Sequence, residues 1–278
     1  MANISTETDS VPMEAIFEKI DKDTCLLCFQ HASNQTGAVN DAKTIIQKAR
    51  EINPDLYVLL VRFSMHPMYR LTLKTFGADA YAVGPYKAYC IKGIRFAHIS
   101  ERLAQLHQEN IIGKPSTNWV LGSPPHAMYA AWSAVIDYMC WLGSHFTESR
   151  DRRKLVVAAK KAINHHILAL LNRLLHGSDA VEGLLDMEHV TVCGMEDEIT
   201  NRMCIFLFRL NGFDSPTVRE QYNRKYHVRV SVRVKDAYST FPLDAIGWPD
   251  AVRLSAAHYN TSEEVDRFLK VTKEMRPK

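Results

Sequence analysis

Alternation of apolar strand-like runs with a helical pattern, within the first 85 residues, limits this chain more than any other feature. "DTCLLCFQHA" (23–32) reads as a buried strand, and "AVNDAKTIIQKAREI" (38–52) places its apolar residues at helical spacing. "NPDLYVLLVRF" (53–63) is a second buried strand opened by a proline turn. "LTLKTFGADAYAV" (71–83) gives a short helix and then a third strand. Two parallel neighbours need a crossover of at least a dozen residues, and such crossovers are right-handed. The spacing here therefore predicts an α/β layer with parallel pairing.

The second half of the chain changes character. "SPPHAMYAAWSAVIDYMCWL" (123–142) is apolar over most of its helical circumference, so it is predicted as a buried helix linking two regions. Residues 151–176, "DRRKLVVAAKKAINHHILALLNRLLH", form a long amphipathic helix stopped by Gly177. "HVTVCG", "MCIFLFRL" and "HVRVSVRV" follow as strands, and "SEEVDRFLKVTKEM" as a final helix, which suggests a smaller α+β domain. Thr261 or Ser262 can cap that final helix, while Glu263 and Glu264 favour its positive end.

Charge and composition exclude several functions. A net charge of +3 spread over 278 residues lacks the basic footprint of a nucleic-acid binder. The apolar runs are too short to span a membrane. The start, "MANISTETDSVPMEAIF", has neither a secretory signal's basic and apolar parts nor a transit peptide's arginines, so the cytosol is expected. Of the six cysteines, most sit in apolar segments such as "TCLLCF" and read as small buried hydrophobes rather than a disulfide framework. Cys25 and Cys28 are three apart in a strand, hence on opposite faces, with only His31 nearby; no metal site is expected.

Four segments in order carry a resemblance: "HASNQTGAVNDAKTIIQKARE", "FGADAYAVGPYKAYCIKGIRFAHIS", "NWVLGSPPHAMYAAWSAVIDYMCWLG" and "AVRLSAAHYNTSEEVDRFL". Together they resemble the class V aminotransferases among the fold-type I pyridoxal-phosphate enzymes, and within them the cysteine desulfurase-like branch. The resemblance implies a partial fold-type I large domain over 1–120, a central linking helix over 121–150 and a small α+β domain over 151–278. It implies pyridoxal 5'-phosphate held as a Schiff base on Lys87, with Asn34 bonding the cofactor's phenolic oxygen. Ser123 would reach the phosphate of a partner subunit, and Arg253 would clamp the α-carboxylate of a small amino-acid substrate. Ordinary readings stand beside these: a solvated Tyr-Lys pair, an asparagine capping a turn, and a strand-edge arginine in a surface ion pair.

By the same resemblance, Lys87 would act as the base at the substrate's Cα, in lyase, epimerase or enamine carbon–carbon chemistry. Fungal desulfurase-like proteins of ustiloxin-like peptide pathways are the preferred analogy. The departures are as specific. Val61 falls where the family has the aspartate that keeps the pyridine nitrogen protonated. Ser64, Met65 and Met68 replace polar cofactor-facing groups, with His66 a candidate substitute. Gly84 and Tyr86 stand before the lysine where a serine or histidine is usual, and Cys90 and Arg95 replace glycines. "VRVSVRVKDAYS", aligned with the desulfurases' reactive-cysteine loop, contains no cysteine. The family's N-terminal part, with a phosphate-binding turn and a ring-stacking residue, has no counterpart here. Expected partners are thus a second copy, or a chain supplying that part. The alternative to an enzyme is a non-catalytic family member serving as a dimer partner or scaffold.

Overall fold

A computed structural model describes residues 2, 10–62, 76–123, 125–194 and 202–276. Its contacts divide the chain into two compact units: residues 17–32 with 41–162, and residues 1–16 and 33–40 with 163–278. The segment 33–40 thus belongs with the C-terminal half although the strand before it does not.

After a short helix α1 (Met13–Phe17), the first of these units contains β1 (Leu26–Gln30), α2 (Ala42–Ile52), β2 (Tyr57–Arg62), β3 (Ala80–Val83) and β4 (Phe96–Ile99). The strands form one sheet in the order β1-β2-β3-β4. β1, β2 and β3 run parallel, as the alternation predicts, and β4 is antiparallel to β3. In α2 the buried residues are Ala42, Ile45, Ile46 and Ala49, the spacing of a single helical stripe, and Asp41 caps the helix by accepting from the Thr44 N–H. The short helix expected before β3 lies outside the described residues save for its end at Phe76.

Two expectations are corrected. β1 is an edge strand with Leu26, Cys28 and Gln30 exposed, rather than a buried one. Its apolar run hides an alternation: Phe29 packs with Leu60 and Tyr81 on one face, and the other face is open. Cys25 and Cys28 are therefore exposed thiols, whereas Cys140, Cys193 and Cys204 are buried.

The second correction concerns the apolar helix. After the one-turn α3 (Glu101–Ala104) comes α4 (His126–Ser144), in which only Met139, Cys140 and Gly143 are buried. Tyr129 and Trp132 meet Phe96, and Gly143 lies against the Leu155 carbonyl of α5 (Arg152–His176). Trp141 nevertheless keeps 58% of its surface exposed. An all-apolar circumference demands cover on every side, and the described residues supply it on one side and at one end only. No described helix is long and apolar enough to cross a membrane.

The second unit takes over midway along α5. That helix stops at Gly177, whose φ of +71° is the left-handed conformation that ends helices. β5 (Gly177–Ser178) and β6 (Val181–Glu182) form a minimal hairpin. Next come β7 (Val190–Val192), β8 (Ile205–Leu210), α6 (Ser215–Arg224), β9 (Ser231–Val234), α7 (Thr240–Ala245), β10 (Asp250–Ser255) and α8 (Ser262–Glu274). The sheet is antiparallel with the order β7-β8-β10-β9. One face, with Phe206, Phe208, Val252 and Leu254, joins Leu170, Leu171, Leu174, Tyr222 and Phe268 in a large core. Leu207 and Ala251 on the other face pack with Leu243 and Ile246. Of the two candidate caps it is Thr261 that caps α8, and Glu264 completes a reciprocal capping box that the sequence reading did not name.

Candidate functional site

The "SNQTG" segment is pinned to the second unit from several directions. Ser33 Oγ accepts the Thr36 N–H at 3.0 Å, and the Gly37 N–H returns to the Ser33 carbonyl at 3.2 Å. The Met203 N–H donates to the Gly37 carbonyl at 2.9 Å, and Arg202 Nη2 donates to the Thr36 carbonyl at 2.8 Å. Gln35 Nε2 reaches the Tyr238 carbonyl at 3.0 Å. Gly37 has φ +82°, and a Cβ there would stand 2.0 Å from the Ile205 carbonyl oxygen, so only glycine allows this approach. The result is a rigid turn whose Asn34 carbonyl accepts from Arg253 Nε at 2.8 Å.

Arg253 lies on β10, which has β8 on one side and β9 on the other; it pairs with Leu207 and Ser231. It is not a strand-edge residue, and among the described residues it makes no salt bridge with an acid. The ion-pair reading therefore does not hold. Burial pushes the guanidinium down to about 10, with the charge of Arg233 adding to the effect. At neutral pH it remains a cation whose Nε is oriented by a carbonyl, and its terminal nitrogens are donors of the kind that suit an oxyanion. Gln35 Oε1 is buried and has no hydrogen-bond partner among the described residues, an acceptor available to an N–H group.

Lys87 stands in the other unit. β3 ends at Val83, Gly84 leads into a 3-10 turn over Pro85–Ala88, and Tyr89 closes it with φ +67°. A proline in the first turn suits this geometry because its missing N–H has no role there. Lys87 is exposed rather than desolvated, with Nζ 5.3 Å from the Tyr86 ring centroid. The turn projects beyond the end of the strand, which explains the exposure. Ser123 is also exposed, in the loop before α4. Asn34 and Arg253 are thus brought together, while Lys87 and Ser123 sit in the unit that contains neither. Ser64, Met65, His66 and Met68 lie outside the described residues.

Comparisons with known proteins bear on this arrangement. The family model Aminotransferase class-V matches residues 4–173. The chain belongs to the class V aminotransferase family. An aminotransferase-like protein, FGM3 of Gibberella zeae, is 27% identical over 256 residues, covering 88% of this chain and 58% of that protein. A cysteine desulfurase of Yersinia pestis is 24% identical over 285 residues, covering 95% of this chain and 61% of the other. The chain therefore spans about three-fifths of the length of these curated relatives. The apo cysteine desulfurase of Thermococcus onnurineus superimposes with a TM-score of 0.76 at 17% identity, over 99% of this chain and 65% of that one. A NifS-like protein of Rickettsia africae gives 0.72 at 14% identity, over 98% and 68%. The mixed α/β architecture with a parallel-rich sheet is the fold of these proteins, as the resemblance implies.

The class V family uses pyridoxal phosphate, and the described residues fit only one end of it. Lys87, to which the resemblance assigns the amine that meets the aldehyde, is an exposed residue. Where the resemblance puts the pyridine-nitrogen end, Val61 is an alkyl residue in β2, paired with Ala82 and accepting the His31 N–H at its carbonyl. The acid Asp79 stands at the other end of the β2·β3 ladder, beside Val58, and is engaged with Arg50. No described residue there is placed to keep a ring nitrogen protonated. Residues 228–239 hold no cysteine for a persulfide at that loop, and burial pushes the Cys204 thiol up to about 12, while Cys25 and Cys28 are exposed. Gly37, Arg202 and Arg233 escape a reading by motif. The glycine at the end of "SNQTG" and the alternating arginines of "HVRVSVRV" are the signals that could have found Gly37 and Arg233.

Proposed function

We propose that this chain is a cysteine desulfurase-like class V protein that binds a small α-amino acid by its carboxylate at Arg253, with Lys87 as the amine for pyridoxal phosphate. The observation that carries this reading is the Arg253 guanidinium, held at Nε by the Asn34 carbonyl and, among the described residues, without a carboxylate partner. Burial without an acid partner is costly for a guanidinium, and a carboxylate ligand supplies the missing charge-assisted hydrogen bonds. The relative from Gibberella zeae supports the fungal branch of the analogy. Lyase or enamine chemistry within that branch is the reaction class that the resemblance favours.

The test is a titration of the purified chain with pyridoxal phosphate. A visible band should appear, and borohydride should fix the cofactor on Lys87. Lys87→Ala should lose more than nine-tenths of that labelling. Labelling spread over many lysines, or unchanged in the variant, would refute the assignment of Lys87.

A second reading has its own support. Val61, without a carboxylate, and the exposed apolar surface of α4 favour a non-catalytic member that acts by pairing with a second copy of the chain. Light scattering should then report a dimer of the purified chain. Trp141→Glu, which places a charge on that surface, should shift most of the mass to monomer. A monomeric wild-type chain at tens of micromolar sinks the pairing.

A further inference from the structure

Arg253 does not stand alone on its face of the sheet. In the β9·β10 ladder it is opposite Ser231, while Arg233 is opposite Ala251. Residues two apart on a strand point to the same face, so Arg233 and Arg253 are diagonal neighbours on one face. Such positions lie about 7–8 Å apart at the backbone, within reach of long side chains. Both residues are half-buried.

Like charges so placed repel, and each would be stabilised by an acid. Among the described residues neither arginine has one within salt-bridge distance. Arg233 Nη1 donates to the Val232 carbonyl at 3.1 Å. Asp236, the acid that acts on Arg233 from further away, accepts the Tyr238 and Ser239 N–H groups at 2.9 and 2.7 Å. Burial lowers the proton affinity of both guanidiniums, and Arg233 adds to the effect on Arg253. The two cations therefore form a concentrated positive site on this face of the sheet.

We propose that Arg233 and Arg253 together select an α-amino acid carrying a second carboxylate on its side chain, with the α-carboxylate on Arg253 and the distal one on Arg233. This rests on Arg253 as the carboxylate clamp. Arg233 adds specificity by charge, since a neutral side chain leaves its guanidinium unpaired.

L-aspartate and L-asparagine, nearly equal in shape and differing by one charge, separate the two ideas. Calorimetric titration of the purified chain at fixed ionic strength should show aspartate bound about tenfold more tightly than asparagine, the scale of one charge-assisted hydrogen bond. Arg233→Gln should bring the ratio near one, Arg233→Lys should leave it intermediate, and Arg253→Gln should weaken both ligands. Melting curves confirm that each variant is folded, and β9 is an outer strand where substitution is tolerated. A wild-type ratio near one, or a ratio that survives both Arg233 variants, overturns the selectivity while leaving the clamp standing. Absence of binding, or binding indifferent to Arg253→Gln, overturns the clamp and the selectivity with it.

Discussion

Asp79→Ala is expected to destabilise the chain by about 2–4 kcal/mol, the range for removing one partner from a largely buried ion pair whose cation stays partly solvated. Asp79 is 3% exposed. Its carboxylate accepts from Arg50 Nη2 at 2.8 Å, from the Val58 N–H at 2.9 Å and from Ser100 Oγ at 3.3 Å. Its main chain takes part as well: the Asp79 N–H donates to the Val58 carbonyl, and its carbonyl accepts the Ser100 N–H at 2.7 Å. One side chain thus fastens α2, β2 and the segment after β4 to the start of β3. Alanine would leave a buried N–H and a guanidinium without acceptors. Asp79→Asn, which keeps an acceptor for one of them but loses the charge, should cost about half as much. Urea denaturation of the three proteins measures this, and a loss below about 0.5 kcal/mol for the alanine variant, the level of an ordinary surface change, contradicts the role. β3 carries the Pro85–Ala88 turn, so the variant should also label less selectively at Lys87 under borohydride.

The regular elements are legible because their signals are local. The stripe of α2, the parallel runs of β2 and β3, the stop at Gly177 and a capping residue at the start of α8 each follow from residues within a few positions of one another. What stays hidden depends on partners far along the chain. Whether β1 is buried depends on what covers its second face, and an apolar run looks the same in both cases. The same holds for α4, whose composition demands cover without saying what provides it. β4 pairs antiparallel with β3, an outcome set by the turn over Pro85–Ala88 and the short return after it rather than by any pattern in "RFAHIS". For the candidate site, only the resemblance singles out Asn34 and Arg253, and the hydrogen bond that joins them spans 219 positions, which leaves no local signal. Arg233 carries no such motif, and its role appears only once the ladder sets it diagonally from Arg253.

Gly37→Ala tests whether the turn itself positions the clamp. A Cβ at residue 37 would stand 2.0 Å from the Ile205 carbonyl oxygen and 2.8 Å from that of Met203, both backbone atoms of the segment entering β8. No side-chain rotation relieves this, so the 33–40 segment must lift from the sheet. The left-handed backbone costs about 1–2 kcal/mol for a non-glycine residue, and the collision adds about 1–3 kcal/mol. A loss of about 3.5 kcal/mol is expected in urea denaturation, the middle of that combined range. The stability loss alone would not separate a structural glycine from one that shapes a site. Lifting the segment also moves the Asn34 carbonyl away from Arg253 Nε, so the guanidinium loses the contact that orients it. In protein that is still folded by circular dichroism, L-aspartate binding should therefore weaken at least tenfold. Gly113→Ala is the matched control: it too has positive φ, at +82°, but nothing lies within 4 Å of its Cβ. It should show the backbone cost without the loss of binding. If both variants bind aspartate as the wild type does, the turn does not position the clamp.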